Sequence, residues 1–331
     1  MKRKFSLLAI MVIIIIFGVI FIFYVRPKSV GELQYVEVKT ISSTPDSIIK
    51  YFSSVTSLWF DSIEKRLYVS DLQAGCIAIF DTNLNYLARI GKKGKGPDEF
   101  DWINFVGKFD NLLFVYVPRG IKSFELVDGS PRYLSLFSVP FFPSNTFAVS
   151  VEGNLIMPAS SKDDSLLAVY DAKGNLLRLF GKKIPQETEQ RTFLKNGVWP
   201  VVDGEGNIYV VFLSLPYIRK YSRDFNLLIE RHLSDEVKYG LKIIAEKEKG
   251  NPNVRHTMVA GVFYRKPYLY IRYADQLPVI NVYDEKTLEL RKKIRIKNAE
   301  RSLTNFVVIS DKSLVFFDMK NGELVKCEVI Q

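Results

Sequence analysis

Three arginines stand in polar stretches between apolar runs: Arg119 in VPRGI, Arg255 in NVRHT and Arg272 in YIRYA. Brought together, their guanidinium groups could pair a carboxylate or phosphate bidentately. The plainer arrangement is that they pair with Asp71, Asp163 and Asp275 as surface salt bridges. The same acids with Asn321 could form an all-oxygen calcium site, so no cofactor is expected with calcium as the one exception left open. Trp102, Trp199 and Tyr217 offer rings that could stack on a sugar or peptide, or pack beneath a loop. Glu99 and His256 complete the polar candidates for ligand binding.

Catalytic chemistry is thin. The two histidines, His232 and His256, border one short stretch, whereas a metal-dependent lyase or lactonase would draw ligands from all round its site. Cys76 and Cys327 sit in the apolar runs CIAIF and KCEVI, where small buried hydrophobes are expected rather than a disulfide. There is no G-x-S-x-G elbow, and no catalytic or metal-ligating set is assigned. The glycine-rich GKKGKG (Gly91–Gly96) invites a phosphate-loop reading but lacks the following Lys-Ser/Thr and helix, and it ends an apolar run and continues into Pro97.

The elements that must position these residues are strands. Alternating and continuous apolar runs rich in Val, Ile, Tyr and Phe, punctuated by Asp, Asn and Gly, recur in groups of four. The clearest copies are Arg66–Gly91, Asn154–Gly181 and Asn207–Leu233, each with a polar turn such as DAKGN or DGEGN. Six groups can be drawn, the last of which lacks its outer strand. YVEVKTI (Tyr35–Ile41) has no group of its own and can complete the sixth. The expected fold is all-β: a six-bladed β-propeller with its N-terminal strand closing the last blade. In such a ring the second-to-third-strand loops and the blade-to-blade connections share one face, and all the candidate residues fall there. Ser234–Gly250 breaks the pattern and reads as an amphipathic helical insert, with Ser234 as N-cap and Val237, Leu241 and Ile244 on its apolar side.

Phe5–Val25 carries no charge over 21 residues, long enough as a helix to span a bilayer core. MKRK on its N-terminal side outweighs Arg26 and Lys28, so the N-terminus is expected in the cytoplasm and the body outside. No small-residue cleavage site follows, which favours an uncleaved signal anchor. The organisation expected is a basic flank and transmembrane anchor over residues 1–28, a linker over 29–34 and the propeller over 35–331. The net charge is +10, but removing Lys2, Arg3, Lys4, Arg26 and Lys28 leaves 41 basic against 36 acidic residues. That balance excludes a nucleic-acid footprint.

The outer strand and loop YLARIGKKGKGPDEF (Tyr86–Phe100) resemble the blade-linking loop of bacterial six-bladed β-propellers related to NHL-repeat proteins. Gly91, Gly94, Gly96, Pro97, Glu99 and Phe100 match that loop, and Asp98 stands where the pattern has glycine. The resemblance covers about Val36 to the C-terminus and implies an exported or membrane-tethered propeller that is a binding scaffold more than a defined enzyme. The function expected is therefore a membrane-anchored, extracytoplasmic binding or scaffold module for a protein, peptide or glycan. The alternatives are a metal-dependent hydrolase or lyase of the lactonase or amidating-lyase type, and a structural subunit of an envelope complex.

Overall fold

The computed structural model describes residues 34–39, 52, 54–127, 129–139, 146–160, 164–233, 236–251, 254–274, 279–296 and 303–329. The chain divides into two units, Met1–Glu32 and Leu33–Gln331. The apolar segment Phe5–Val25 lies outside the described residues, among which no helix is long and apolar enough to cross a membrane.

Six antiparallel blades follow one another along the second unit. The first is Val55–Asp61, Arg66–Asp71, Cys76–Phe80 and Tyr86–Ile90. The second is Phe105–Phe109, Leu112–Val117, Gly120–Val127 and Ser130–Phe137. The third is Ala148–Val149, Leu155–Pro158, Ser165–Tyr170 and Leu176–Lys182. The fourth is Val198–Val202, Ile208–Phe212, Tyr217–Tyr221 and Leu227–His232. The fifth is Val259–Arg265, Tyr268–Tyr273, Val279–Asp284 and Leu290–Ile296. The sixth has Leu303–Ser310, Ser313–Asp318 and Glu323–Val329, completed by Gln34–Lys39. The innermost strands touch in sequence and the sixth returns to the first, which closes the ring.

The closing strand does more than the sequence leads one to expect. It runs antiparallel to Glu323–Val329, with Val36 opposite Val329, and parallel to the outer strand of the fifth blade, with Val36 opposite Ile296. The fifth and sixth blades thereby become one continuous eight-stranded sheet.

The middle strands read as unbroken apolar runs because a neighbouring blade covers each of their faces. Ile208–Phe212 is buried at every position, while the outer strand Ser130–Phe137 alternates exposed and half-buried residues. The core is correspondingly a set of six layers, one per blade junction. Val106 and Leu113 meet Ile77 and Tyr68 between blades one and two, and Phe317 and Val315 meet Phe60 and Leu67 where the ring closes. Each fully buried Phe or Leu contributes roughly 1.5–3 kcal/mol.

The repeated polar turn has a specific local cause. Asp81, Asp171 and Asp203 each accept, through Oδ1, the N–H two and four residues on, and through Oδ2 the side-chain amide of Asn85, Asn175 and Asn207. Such a carboxylate fixes the hairpin before any long-range contact forms.

Among the described residues two helices interrupt the strands, both in blade-to-blade connections. α1, Glu189–Lys195, begins at Thr188, whose hydroxyl accepts the Arg191 N–H; no helix is expected there from the sequence. α2, Lys238–Gly250, is the anticipated insert, but its N-cap is Val237 rather than Ser234, and no side chain caps it. Val237 and Ile244 are buried against Met258 and Val259, with Leu241 packed alongside. Burial of that apolar side, not a capping residue, holds the helix in place.

Candidate functional site

A cavity of about 870 Å³ forms the channel down the propeller axis, walled by the innermost strands of all six blades. Its lining is mostly aromatic and aliphatic: Trp59, Phe105, Phe147, Trp199, Phe263 and Phe306 face it together with several valines. Phe105 stands edge-on to both Phe147 and Trp199, with centroids at 5.3 and 5.9 Å. Gly107 and Gly261 allow these rings their positions. A Cβ at Gly107 would lie 2.8 Å from the Phe147 ring, and one at Gly261 would lie 2.8 Å from Phe306.

The channel includes the turns between first and second strands, at Ser62–Ile63, Ser150–Val151, Asp203–Glu205 and Arg265–Lys266. It therefore opens on the hairpin face, opposite the loop face on which the sequence places the candidate residues. Towards the loop end Thr146, Val198, Val259 and Leu303 are buried, and none of them lines the channel.

Charged groups surround the open mouth and tie neighbouring blades. Lys108 donates to Asp61 Oδ2 at 2.9 Å and to Glu64 Oε1 at 2.7 Å, joining blades one and two. Lys266 pairs Glu205 at 2.8 Å between blades five and four, and Arg265 pairs Asp311 at 3.1 Å between blades five and six. Behind the mouth, Tyr209 and Tyr264 stack at 5.3 Å. Tyr209 donates to Asp203 Oδ2 at 3.1 Å, and Tyr264 donates to Glu285 Oε2 at 2.5 Å. Burial first, then the carboxylates of Asp203 and Glu285, push both phenols well above their ordinary range, so they are permanent donors.

The residues singled out from the sequence take several different positions. Trp199 lines the channel. Asp71 is buried, and its Oδ1 accepts from the N–H groups of Gln73 and Ala74, closing its own turn. Arg272 is buried and donates through Nη1 to the Thr304 carbonyl of the next blade, and burial pulls its guanidinium down to about 10. Arg119 is exposed on the second blade, across the ring from Arg272, so these two do not form a fork. Tyr217 packs edge-on against His232 and Phe212. Trp102 is 47% exposed and donates to Asn104. Arg255 and His256 lie beside the two helices. Asp275 and Asp163 lie outside the described residues. Among the described residues, no three His, Cys, Asp or Glu side chains are grouped to hold a metal ion. Cys76 and Cys327 are buried free thiols, pushed by burial to about 11 and about 12.

The glycine-rich loop is wrapped around a cation rather than open to an anion. Lys122, from the second blade, donates to the carbonyls of Gly96, Pro97 and Glu99 at 2.7, 3.2 and 2.7 Å. Burial lowers its ammonium, with Asp101, Asp98 and Glu99 opposing. Glu99 braces the turn by accepting from Gly96 N–H and pairing Lys92 at 3.3 Å. The Gly96 N–H first, then Lys92, hold its carboxyl below the usual range. Phe100 fills the space over Gly91, whose φ is +79° and where a Cβ would meet the ring at 2.3 Å. Gly91→Ala should therefore cost about 1–2 kcal/mol in urea-unfolding midpoint, and an unchanged midpoint would contradict this packing. Asp98 is not among the positive-φ residues, so the position needs no glycine. Lys108 and Lys122 are the site residues that the sequence reading misses; the signal was a lysine inside an otherwise apolar strand.

Ring closure and an axial channel of ligand size define a six-bladed propeller. The chain belongs to the family described as a 6-bladed beta-propeller, whose model matches residues 32–310. No curated protein matches it. Among solved structures it is similar to a protein from Bacteroides fragilis described as exported, with 14% identity, a TM-score of 0.59, and coverage of 89% of this chain and 95% of that one. An auxiliary nutrient binding protein from Bacteroides ovatus matches with 15% identity, a TM-score of 0.55, and coverage of 91% and 78%. Virginiamycin B lyase from Staphylococcus aureus matches with 11% identity, a TM-score of 0.51, and coverage of 89% and 94%. At these identities the likeness extends to the fold alone.

Proposed function

We propose that this protein is an extracytoplasmic binding module that takes a glycan or short peptide into its axial channel and is held at the membrane by Phe5–Val25. The channel carries the reading. Its volume, about 870 Å³, lies within the range of small-ligand pockets, roughly 300–1,000 Å³, and is too small for a folded partner. Aromatic walls with a charged rim suit a ligand that has apolar faces and polar edges. The fold neighbours described as exported and as nutrient binding agree with such a role outside the cytoplasm. The tether rests on the uncharged length of Phe5–Val25 and its basic flank.

The test uses full-length protein in nanodiscs, screened against a glycan array and a library of short peptides. Ligands found should bind about tenfold or more weakly to Trp199→Ala and equally well to Trp102→Ala, which alters the opposite face. Ligands indifferent to Trp199→Ala, or no ligand from either library, would count against the channel.

A further inference from the structure

The loop face carries a second cavity, separate from the channel. Between α1, the last turn of α2 and the segment before the fifth blade lies a cavity of about 10 Å³, walled by Arg191, Lys195, Glu248, Arg255 and His256 among others. That volume admits one water-sized group.

Its charges do not balance. Glu248 accepts both Arg191, at 3.1 Å, and Lys195. Arg191 also reaches Glu187 at 3.4 Å, leaving nothing for Arg255. No hydrogen bond or ion pair reaches the Arg255 guanidinium among the described residues, and burial alone pulls its pKa below the ordinary value. The adjacent His256 Nε2 is buried without a partner, while the same residue's carbonyl is fixed by the Ser214 hydroxyl at 2.7 Å. A half-buried cation and a buried ring nitrogen, both unpaired and lining one cavity, are each costly. A single anionic oxygen placed between them would satisfy both.

We infer that this cavity is an oxyanion site for a phosphate or a carboxylate. One oxygen of the anion enters the cavity and accepts from Arg255 and from His256 in its Nε2–H tautomer; Lys195 and Arg191 supply the surrounding positive charge, and the other oxygens face solvent. The anion would join α1, through Arg191 and Lys195, to the segment after α2 that carries Arg255 and His256, with the Glu248 carboxylate held off by its own two cations, so binding should stabilise the fold.

Thermal unfolding of the full-length protein with inorganic phosphate, acetate or chloride at equal ionic strength tests this. At millimolar affinity, 20 mM phosphate should raise the midpoint by about 3 °C or more over chloride. Arg255→Gln should abolish the gain and Lys195→Gln should reduce it, while Arg119→Gln on the second blade should keep it. A gain with acetate as well marks a site open to carboxylates, and a gain with phosphate alone restricts it to phosphate. Phosphate and acetate behaving as chloride does, or a gain that survives in Arg255→Gln, would overturn the site, whatever the channel is found to bind.

Discussion

Lys108→Met should destabilise the propeller by about 3–5 kcal/mol, read as the shift in chemical-denaturation midpoint at neutral pH. The Lys108 side chain is 4% exposed and that of Asp61 is 7% exposed, so the substitution leaves a carboxylate buried without its counter-ion. Asp61 Oδ1 would keep the N–H groups of Ile63 and Glu64, but Oδ2 would lose its partner. Glu64 is over a third exposed and can turn to water, so most of the penalty belongs to Asp61. The pH dependence follows from two shifts. Burial pushes Asp61 up, but Lys108 and the two turn N–H groups outweigh it and hold the carboxyl below its ordinary 3.8. Its contribution is therefore present above that value and lost as the pH falls through the lowered one. Burial pulls Lys108 down, but Glu64 and Asp61 more than offset it and raise it above 10.5. Its contribution is whole below 10.5 and lost as the pH climbs through the raised value. The deficit of Lys108→Met should thus be full between these limits and narrow below about pH 4, where a protonated Asp61 needs no cation. The double variant Asp61→Asn with Lys108→Met should regain part of the loss, since the amide oxygen can still accept the turn N–H groups. A single variant as stable as the wild type at pH 7 would show that the pair contributes nothing.

The features legible in the sequence are those whose cause is local. Asp171 and Asn175 define a hairpin within five residues, and a run such as IYVVF names a strand covered on both faces wherever it sits. The strand at Gln34–Lys39 was legible by elimination, because the sixth group lacked an outer member. Its second partnership, with Leu290–Ile296, was not, because parallel pairing between outer strands leaves no periodic trace. α1 was missed because seven residues give too little apolar spacing to separate a helix from a loop, and Thr188 is a single hydroxyl among many.

The site was less legible for a related reason. Strand parity assigns each loop to one face, which correctly groups Arg119, Trp102 and Asp71, but it does not say which end of the channel is open. That depends on side chains from six inner strands meeting at the axis. The Lys108–Asp61 pair joins residues 47 positions apart, and Lys122 reaches the Gly96 carbonyl 26 positions away. Neither spacing recurs, so no pattern announces it. Of the ten residues proposed for binding, Trp199 meets the channel, and Arg255 with His256 meets a different cavity on the face first expected.

Val36→Pro should open the ring at its seam. At Val36 the closing strand is flanked on both sides, by Ile296 and by Val329, so its N–H faces a ladder partner whichever way it points. Proline removes that donor. The stranded acceptor alone costs about 1–3 kcal/mol. The strand has only six residues and peels as a unit, so the observed loss should reach or pass the top of that range. A second readout separates this from ordinary destabilisation. Once the strand leaves, the outer edges of Leu290–Ile296 and Glu323–Val329 are both unpaired, and open edges template association between chains. The variant should therefore self-associate in light scattering at temperatures well below its unfolding midpoint, whereas Val36→Thr, a good strand former that keeps the N–H, should stay monodisperse and within about 0.5 kcal/mol of the wild type. If Val36→Pro unfolds at the wild-type midpoint and stays monodisperse, the side-chain layer of Ile294, Ile296, Leu303 and Phe306 holds blades five and six together unaided. In that case the strand would have no structural role in the ring.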